Sequence, residues 1–169
     1  MRKGGGKAKG AQWERDVCVQ LSLWVTDGKK EDVFWRSAMS GGRATVKGKQ
    51  GKKLSNQVGD ITCIDPDGHD LITFFAIECK FYADLNYIGL LTGKGKLLDF
   101  WDEITNQAKK HHKRPMLIAR QNRMRPHVCL NSEGAHFLDL GYRDTLLMSK
   151  PHDLFIFDYE SFFCNPYRG

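Results

Sequence analysis

Apolar residues recur at helical spacing between Gly10 and Thr26, where Trp13, Val17, Leu21 and Trp24/Val25 share one face and Asp27-Gly28 supplies a stop. Val33-Phe34-Trp35-Arg36 predicts a short strand that breaks at Ser40-Gly41-Gly42. From 41 to 57 the apolar rhythm vanishes and the segment is expected to be a long mobile loop, a feature that compact domains usually keep for function. Two apolar runs follow, 60–65 and 71–80, joined by the turn signal Asp65-Pro66-Asp67-Gly68, and the pair is expected to form a hairpin. Residues 84–95 lack a pattern. Helical spacing returns over Leu97–Lys110 through Leu97/Leu98, Trp101, Ile104 and Ala108. Met116-Leu117-Ile118-Ala119 and residues 127–130 predict strands on either side of the polar turn Gln121-Asn122-Arg123. Weaker strand signals lie at 135–140 and 153–158, and Tyr159 to Phe163 predicts a final short helix. With no internal repeat and no linker, this succession predicts one α/β domain over residues 10–169 with a mixed sheet. The Gly/Lys-rich residues 1–9 are expected to be a disordered basic tail.

Composition narrows the partner. The 169 residues carry a formal net charge of +6, which favours an anionic partner, nucleic acid first. The charge is uneven: the loop holds Arg43, Lys47, Lys49, Lys52 and Lys53 with no acid among them. Five scattered cysteines suit reduced thiols in a cytoplasmic protein better than a disulfide framework. No amino-terminal signal segment and no apolar run of about 18 residues is found, so neither secretion nor a membrane span is expected.

The candidate chemistry sits where the pattern is most apolar. Gly59-Asp60 opens one run and Glu78-Cys79-Lys80 closes the other. Residues i and i+2 of a strand share a face, so Glu78 and Lys80 project together and Cys79 points away. Were the two segments neighbours, Asp60 would join them. Two carboxylates about 5 Å apart repel by roughly 3 kcal/mol at an effective dielectric of about 20. A divalent cation removes that cost, and oxygen-rich donors suit Mg²⁺ or Mn²⁺.

These residues resemble the PD-(D/E)xK nuclease superfamily, and within it the Holliday-junction-resolvase-like branch with its small phage-type members. Gly59-Asp60 stands at the family's metal-binding Asp, although glycine replaces the usual proline, and Glu78-Cys79-Lys80 stands at its (D/E)-x-K. Glu14, in Gln12-Trp13-Glu14-Arg15, matches the expected acid on an amino-terminal helix. Phe34-Trp35-Arg36 leading to Ser40-Gly41 matches the segment before the metal Asp, and a later helix bearing Gln107 completes the order. The resemblance spans roughly residues 10–130 and leaves the last 40 residues without a motif.

The resemblance implies a restriction-endonuclease-like core, a mixed central sheet flanked by helices, and a Mg²⁺-dependent endodeoxyribonuclease. Asp60, Glu78 and the Cys79 backbone carbonyl would hold the metal, Lys80 would orient or help deprotonate water and stabilise the transition state, and Glu14 would assist as a metal-site acid. Arg36, Ser40 and the loop cations would meet DNA, and Gln107 could reach the site. Branched DNA is the expected substrate and a homodimer the expected assembly, in the host cytoplasm if the chain is phage-encoded. Leu154-Phe155-Ile156-Phe157 with Phe162-Phe163 could be the interface or more core. Three alternatives stay open: a non-specific or nicking nuclease of recombination, repair or DNA packaging, a non-catalytic nucleic-acid-binding module, and an RNA-directed nuclease.

Overall fold

The computed structural model of the protein describes residues 5–37, 58–141 and 144–167. Ser40 and the expected mobile loop 41–57, with Arg43, Lys47, Lys49, Lys52 and Lys53, lie outside the described residues.

The first helix, α1, spans Gly5–Val25 and buries Trp13, Val17, Leu21 and Trp24, the face its periodicity predicts. It starts earlier than expected, so residues 5–9 of the expected disordered tail are helical, and Lys9 Nζ lies 5.9 Å from the centre of the Phe81 ring. β1 (Phe34–Arg36) pairs antiparallel with β2 (Ile61–Cys63), Arg36 opposite Ile61.

The expected hairpin does not form. After β2, the Asp65 side chain accepts from the Asp67 N–H at 3.0 Å and caps a 3₁₀ turn over Pro66–Gly68, and the chain runs on into α2 (His69–Phe74). An Asp cap followed by proline starts a helix as readily as it closes a turn. The strand begins only at Phe75, as β3 (Phe75–Tyr82).

Beyond β3, a helical turn α3 (Gly89–Thr92) within the otherwise irregular stretch and α4 (Lys96–Lys110) cross to β4 (Arg114–Gln121), which pairs parallel with β3. A polar turn leads to antiparallel β5 (His127–Leu130). Residues 135–140 are not a strand: Asn131 Oδ1 accepts from the Gly134 N–H at 2.9 Å and starts α5 (Ser132–Phe137). β6 (Thr145–Ser149), absent from the sequence expectations, pairs with β7 (Leu154–Asp158), and Asp158 caps α6 (Tyr159–Cys164). The five-stranded sheet has the order β3-β4-β5-β7-β6, parallel only between β3 and β4.

The sheet buries both faces, as alternation along β3 and β4 requires. Ile77, Cys79, Met116, Ile118, Val128 and Phe157 pack with α1, α2, α5 and α6, whereas Ala76, Leu117, Ala119, Cys129 and Ile156 pack with α4. Leu154, Phe155, Ile156, Phe157 and Phe162 are all buried, so the apolar carboxy-terminal segment is core rather than a free interface. Among the described residues, no helix is long and apolar enough to cross a membrane.

Candidate active site

The site is built by a glycine. By sheet order β3 lies at one end of the main sheet, but Gly59 lies against it, in a single parallel bridge to Ile77. Gly59 has φ +88°, and a Cβ there would come within 2.2 Å of the Ile77 carbonyl oxygen. Only glycine meets both demands. One residue on, the Asp60 N–H donates to the same carbonyl at 2.8 Å. The buried Ser37 holds the segment from behind, its N–H donating to the Asp60 carbonyl at 2.7 Å and its hydroxyl to the Gly59 carbonyl at 3.0 Å. Asp60 is thereby placed next to Glu78, and its Oδ2 accepts from the Cys79 N–H at 2.9 Å.

Strand alternation supplies the rest. Cys79 points into the core shared with α1, where burial pushes its thiol well above the ordinary range. Glu78 and Lys80 take the other face, with Lys80 Nζ 2.5 Å from Glu78 Oε1. Across the small sheet, Arg36 Nε donates to Glu14 Oε2 at 2.5 Å, joining β1 to α1. Both pairs are largely withdrawn from water.

Negative charge outweighs positive here. Burial, and then the charges of Glu78 and Glu14, raise the Asp60 carboxyl to about 7; the Cys79 N–H and Lys80 pull the other way without prevailing. For Lys80, burial opposes the charged amine, but its hydrogen bond to Glu78 and the charges of Glu78, Asp60 and Glu103 outweigh it, so its pKa is raised.

A divalent cation beside this carboxyl would offset the burial and repulsion that raise its pKa. Among the described residues no group of three or more His, Cys, Asp or Glu side chains converges as a metal cluster. Asp60 and Glu78 therefore offer two hard carboxylates, a set that fits Mg²⁺ or Mn²⁺ completed by water and substrate oxygens and does not fit Zn²⁺.

The sequence-predicted residues fall into distinct places. Asp60, Glu78 and Lys80 are together. Glu14 and Arg36 adjoin them, but as partners of each other, so Arg36 is engaged by a carboxylate. Cys79 contributes backbone only, its N–H already given to Asp60. Gln107 is half-buried on α4, one turn beyond Glu103. Ser40 and the five loop cations lie outside the described residues. Sequence reasoning missed Ser37, which fixes Gly59 and Asp60, and Glu103, whose charge reaches Lys80. Glu103 carried a signal: it lies one turn before Gln107 on the same predicted helix.

A family model described as phage putative PDDEXK endonuclease matches residues 5–153. That range holds Glu14, Arg36, Asp60, Glu78, Lys80 and the sheet through β6. No curated protein and no solved structure gives a significant match.

Proposed function

The chain belongs to the phage putative PDDEXK endonuclease family, and from that premise we propose that it is a divalent-metal-dependent endodeoxyribonuclease selective for branched DNA. The observation that carries the proposal is the Gly59–Ile77 bridge, which sets Asp60 beside Glu78 and Lys80 in a setting too negative for Asp60 to ionise easily.

In this reading Asp60 and Glu78, with the Cys79 carbonyl, hold Mg²⁺ or Mn²⁺. When bound, the cation supplies the charge that acidifies water and screens the scissile phosphate. Lys80, held charged by its acidic neighbours, donates to a phosphate oxygen and stabilises charge that builds in the transition state. Because Lys80 is already charged it does not take the proton of the attacking water, which would pass to solvent. Glu14 orients Arg36, which meets a neighbouring phosphate, and Gln107 lines the α4 side. The cations Arg43, Lys47, Lys49, Lys52 and Lys53, with Ser40, contact the DNA backbone, where each phosphate contact adds to affinity and salt dependence.

Cutting two strands symmetrically calls for a twofold homodimer. The surface that suits it is β6, an end strand of the sheet whose Leu146, Leu147 and Met148 are exposed and whose residues 145–149 carry no charge.

The test is cleavage of four-way junction, flap, single-strand and linear duplex DNA with Mg²⁺, alongside an RNA version of the flap. Paired symmetric nicks in the junction support the full reading. Equal cutting of linear duplex sinks the branch selectivity, cutting of RNA alone redirects the substrate, and no cutting in any arm leaves the binding-module alternative.

A further inference from the structure

Beyond Glu78 and Lys80, the same face of β3 carries a third side chain, Tyr82. It is 43 % exposed although aromatic. Its ring lies 4.9 Å from that of Phe100 on α4, tilted by 59°, and Phe100 is only 8 % exposed. Two ammonium groups flank this ring pair. Lys80 Nζ is 5.1 Å from the Phe100 centroid, and Lys96 Nζ is 5.0 Å from Phe100 and 6.0 Å from Tyr82. Phe100 thus sits between the lysine of the proposed chemistry and a second, more exposed lysine.

The turn that delivers Lys96 is Thr92-Gly93-Lys94-Gly95-Lys96, which superficially resembles a phosphate loop but lacks the earlier glycine such a loop requires. Its glycines serve geometry. Gly93 ends α3 at φ +68°, Gly95 leads into α4 at φ +154°, and a Cβ on nearby Gly89 would meet the Lys94 carbonyl oxygen at 2.0 Å. The turn is closed tightly and α4 starts beside Tyr82. The acid nearest to Lys96 is Asp99, 3.8 Å away with both side chains exposed, an ion pair weak enough for a phosphate to displace. The charge of Glu103 acts on Lys80.

Resting on the nuclease reading, we infer that Tyr82 and Lys96 form a nucleotide subsite next to the cleaved bond, Tyr82 stacking an unpaired base and Lys96 contacting its phosphate. An exposed ring backed by a buried one is a stable platform for a base, and an ammonium at its edge takes the phosphate that accompanies it. The requirement for an unpaired base follows from stacking: inside a duplex both faces of a base are already covered. At a branch, flap or gap one face is open. The subsite therefore selects nucleotides at strand junctions.

The test is binding of the full chain, with EDTA so that no cleavage intervenes, to flap and fully paired DNA carrying 2-aminopurine at each position around the branch in turn. Wild-type protein is expected to quench one unpaired 2-aminopurine strongly. Tyr82→Ala should lose that quenching and weaken flap binding about tenfold, with less than a twofold change for paired duplex. Tyr82→Phe should restore both. Tyr82→Leu, which keeps a side chain against Phe100, guards against a folding defect and should behave as the alanine variant. Lys96→Gln should weaken flap binding and lower its salt dependence by about one phosphate contact. Tyr82→Leu that binds flap as the wild type does, or that weakens flap and duplex equally, overturns the subsite. A wild type that binds with this selectivity yet never cuts DNA sinks the nuclease reading and leaves the subsite standing.

Discussion

Two places in this molecule set two acids against one lysine, and one acid of each, Asp65 and Asp60, shifts in the opposite direction to the other. At the surface, Lys30 Nζ lies 2.9 Å from Asp65 and 2.8 Å from Asp67. The Asp67 N–H and then Lys30 hold the Asp65 carboxyl below its ordinary range, and the two acids raise the pKa of Lys30. These side chains stay partly open to solvent. Around Asp60, Glu78 and Lys80, burial removes the water, Glu14 adds a further negative charge, and Asp60 rises to about 7. The balance of two carboxylates and one lysine is shared; what differs is burial. The first caps a turn, and the second is the site to which we assign the proposed cation.

The comparison breaks most sharply in catalysis. Asp60→Asn and Lys80→Ala should each lower DNA cleavage by about a thousandfold while DNA binding persists, whereas Lys30→Ala should stay within about twofold of wild type in the same gel assay. Equal losses from both clusters would erase the distinction.

Next comes the scaffold. Gly59→Ala must fit a Cβ against the Ile77 carbonyl at positive φ, and should cost about 2–4 kcal/mol in urea unfolding. Gly28, at φ +78°, has no atom within 4 Å of an added Cβ, so Gly28→Ala should cost about 1 kcal/mol.

Smaller effects follow from titration. Because the folded-state pKa of Asp60 is raised, its favourable contribution is complete below about pH 4 and is lost as pH rises toward about 7. In chelated protein, Asp60→Asn should therefore stabilise by about 1–3 kcal/mol near pH 8, and the gain should vanish near pH 4. Asp65 runs the other way: its lowered pKa makes a contribution present above about pH 4 and lost as pH falls. Asp65→Asn should shift the thermal midpoint only slightly, and only above that pH. Melting curves of Asp60→Asn from about pH 4 to 8, and of Asp65→Asn from about pH 2 to 6, check the opposite slopes.

The sequence made the chemistry of β3 legible because a strand's alternation is local: Ile77 and Cys79 had to face one way, Glu78 and Lys80 the other. The apolar spacing of α1, the strongly amphipathic α4, and strands β4, β5 and β7 were legible for the same reason. What failed was the meaning of caps. Asp65-Pro66-Asp67-Gly68 reads equally as a hairpin turn or a helix start, and Leu71, whose burial inside α2 decides it, has partners far away in sequence. Asn131 was an equally readable cap, outweighed by the apolar residues after it. β6 was hidden because Leu146, Leu147 and Met148 are consecutive and exposed, leaving no alternation to read. The Glu14–Arg36 pair and the Tyr82–Phe100–Lys96 cluster arise only when separate elements meet.

The central claim is that the buried acid pair of Asp60 and Glu78 takes a cation and the surface pair of Asp65 and Asp67 does not. Calorimetric titration of Mn²⁺ into wild type, Asp60→Asn and Asp65→Asn near pH 8 tests it without substrate. Wild type and Asp65→Asn should bind a single Mn²⁺ alike, and Asp60→Asn should lose that binding. Retention of Mn²⁺ by Asp60→Asn, or its loss in Asp65→Asn alone, would contradict the account.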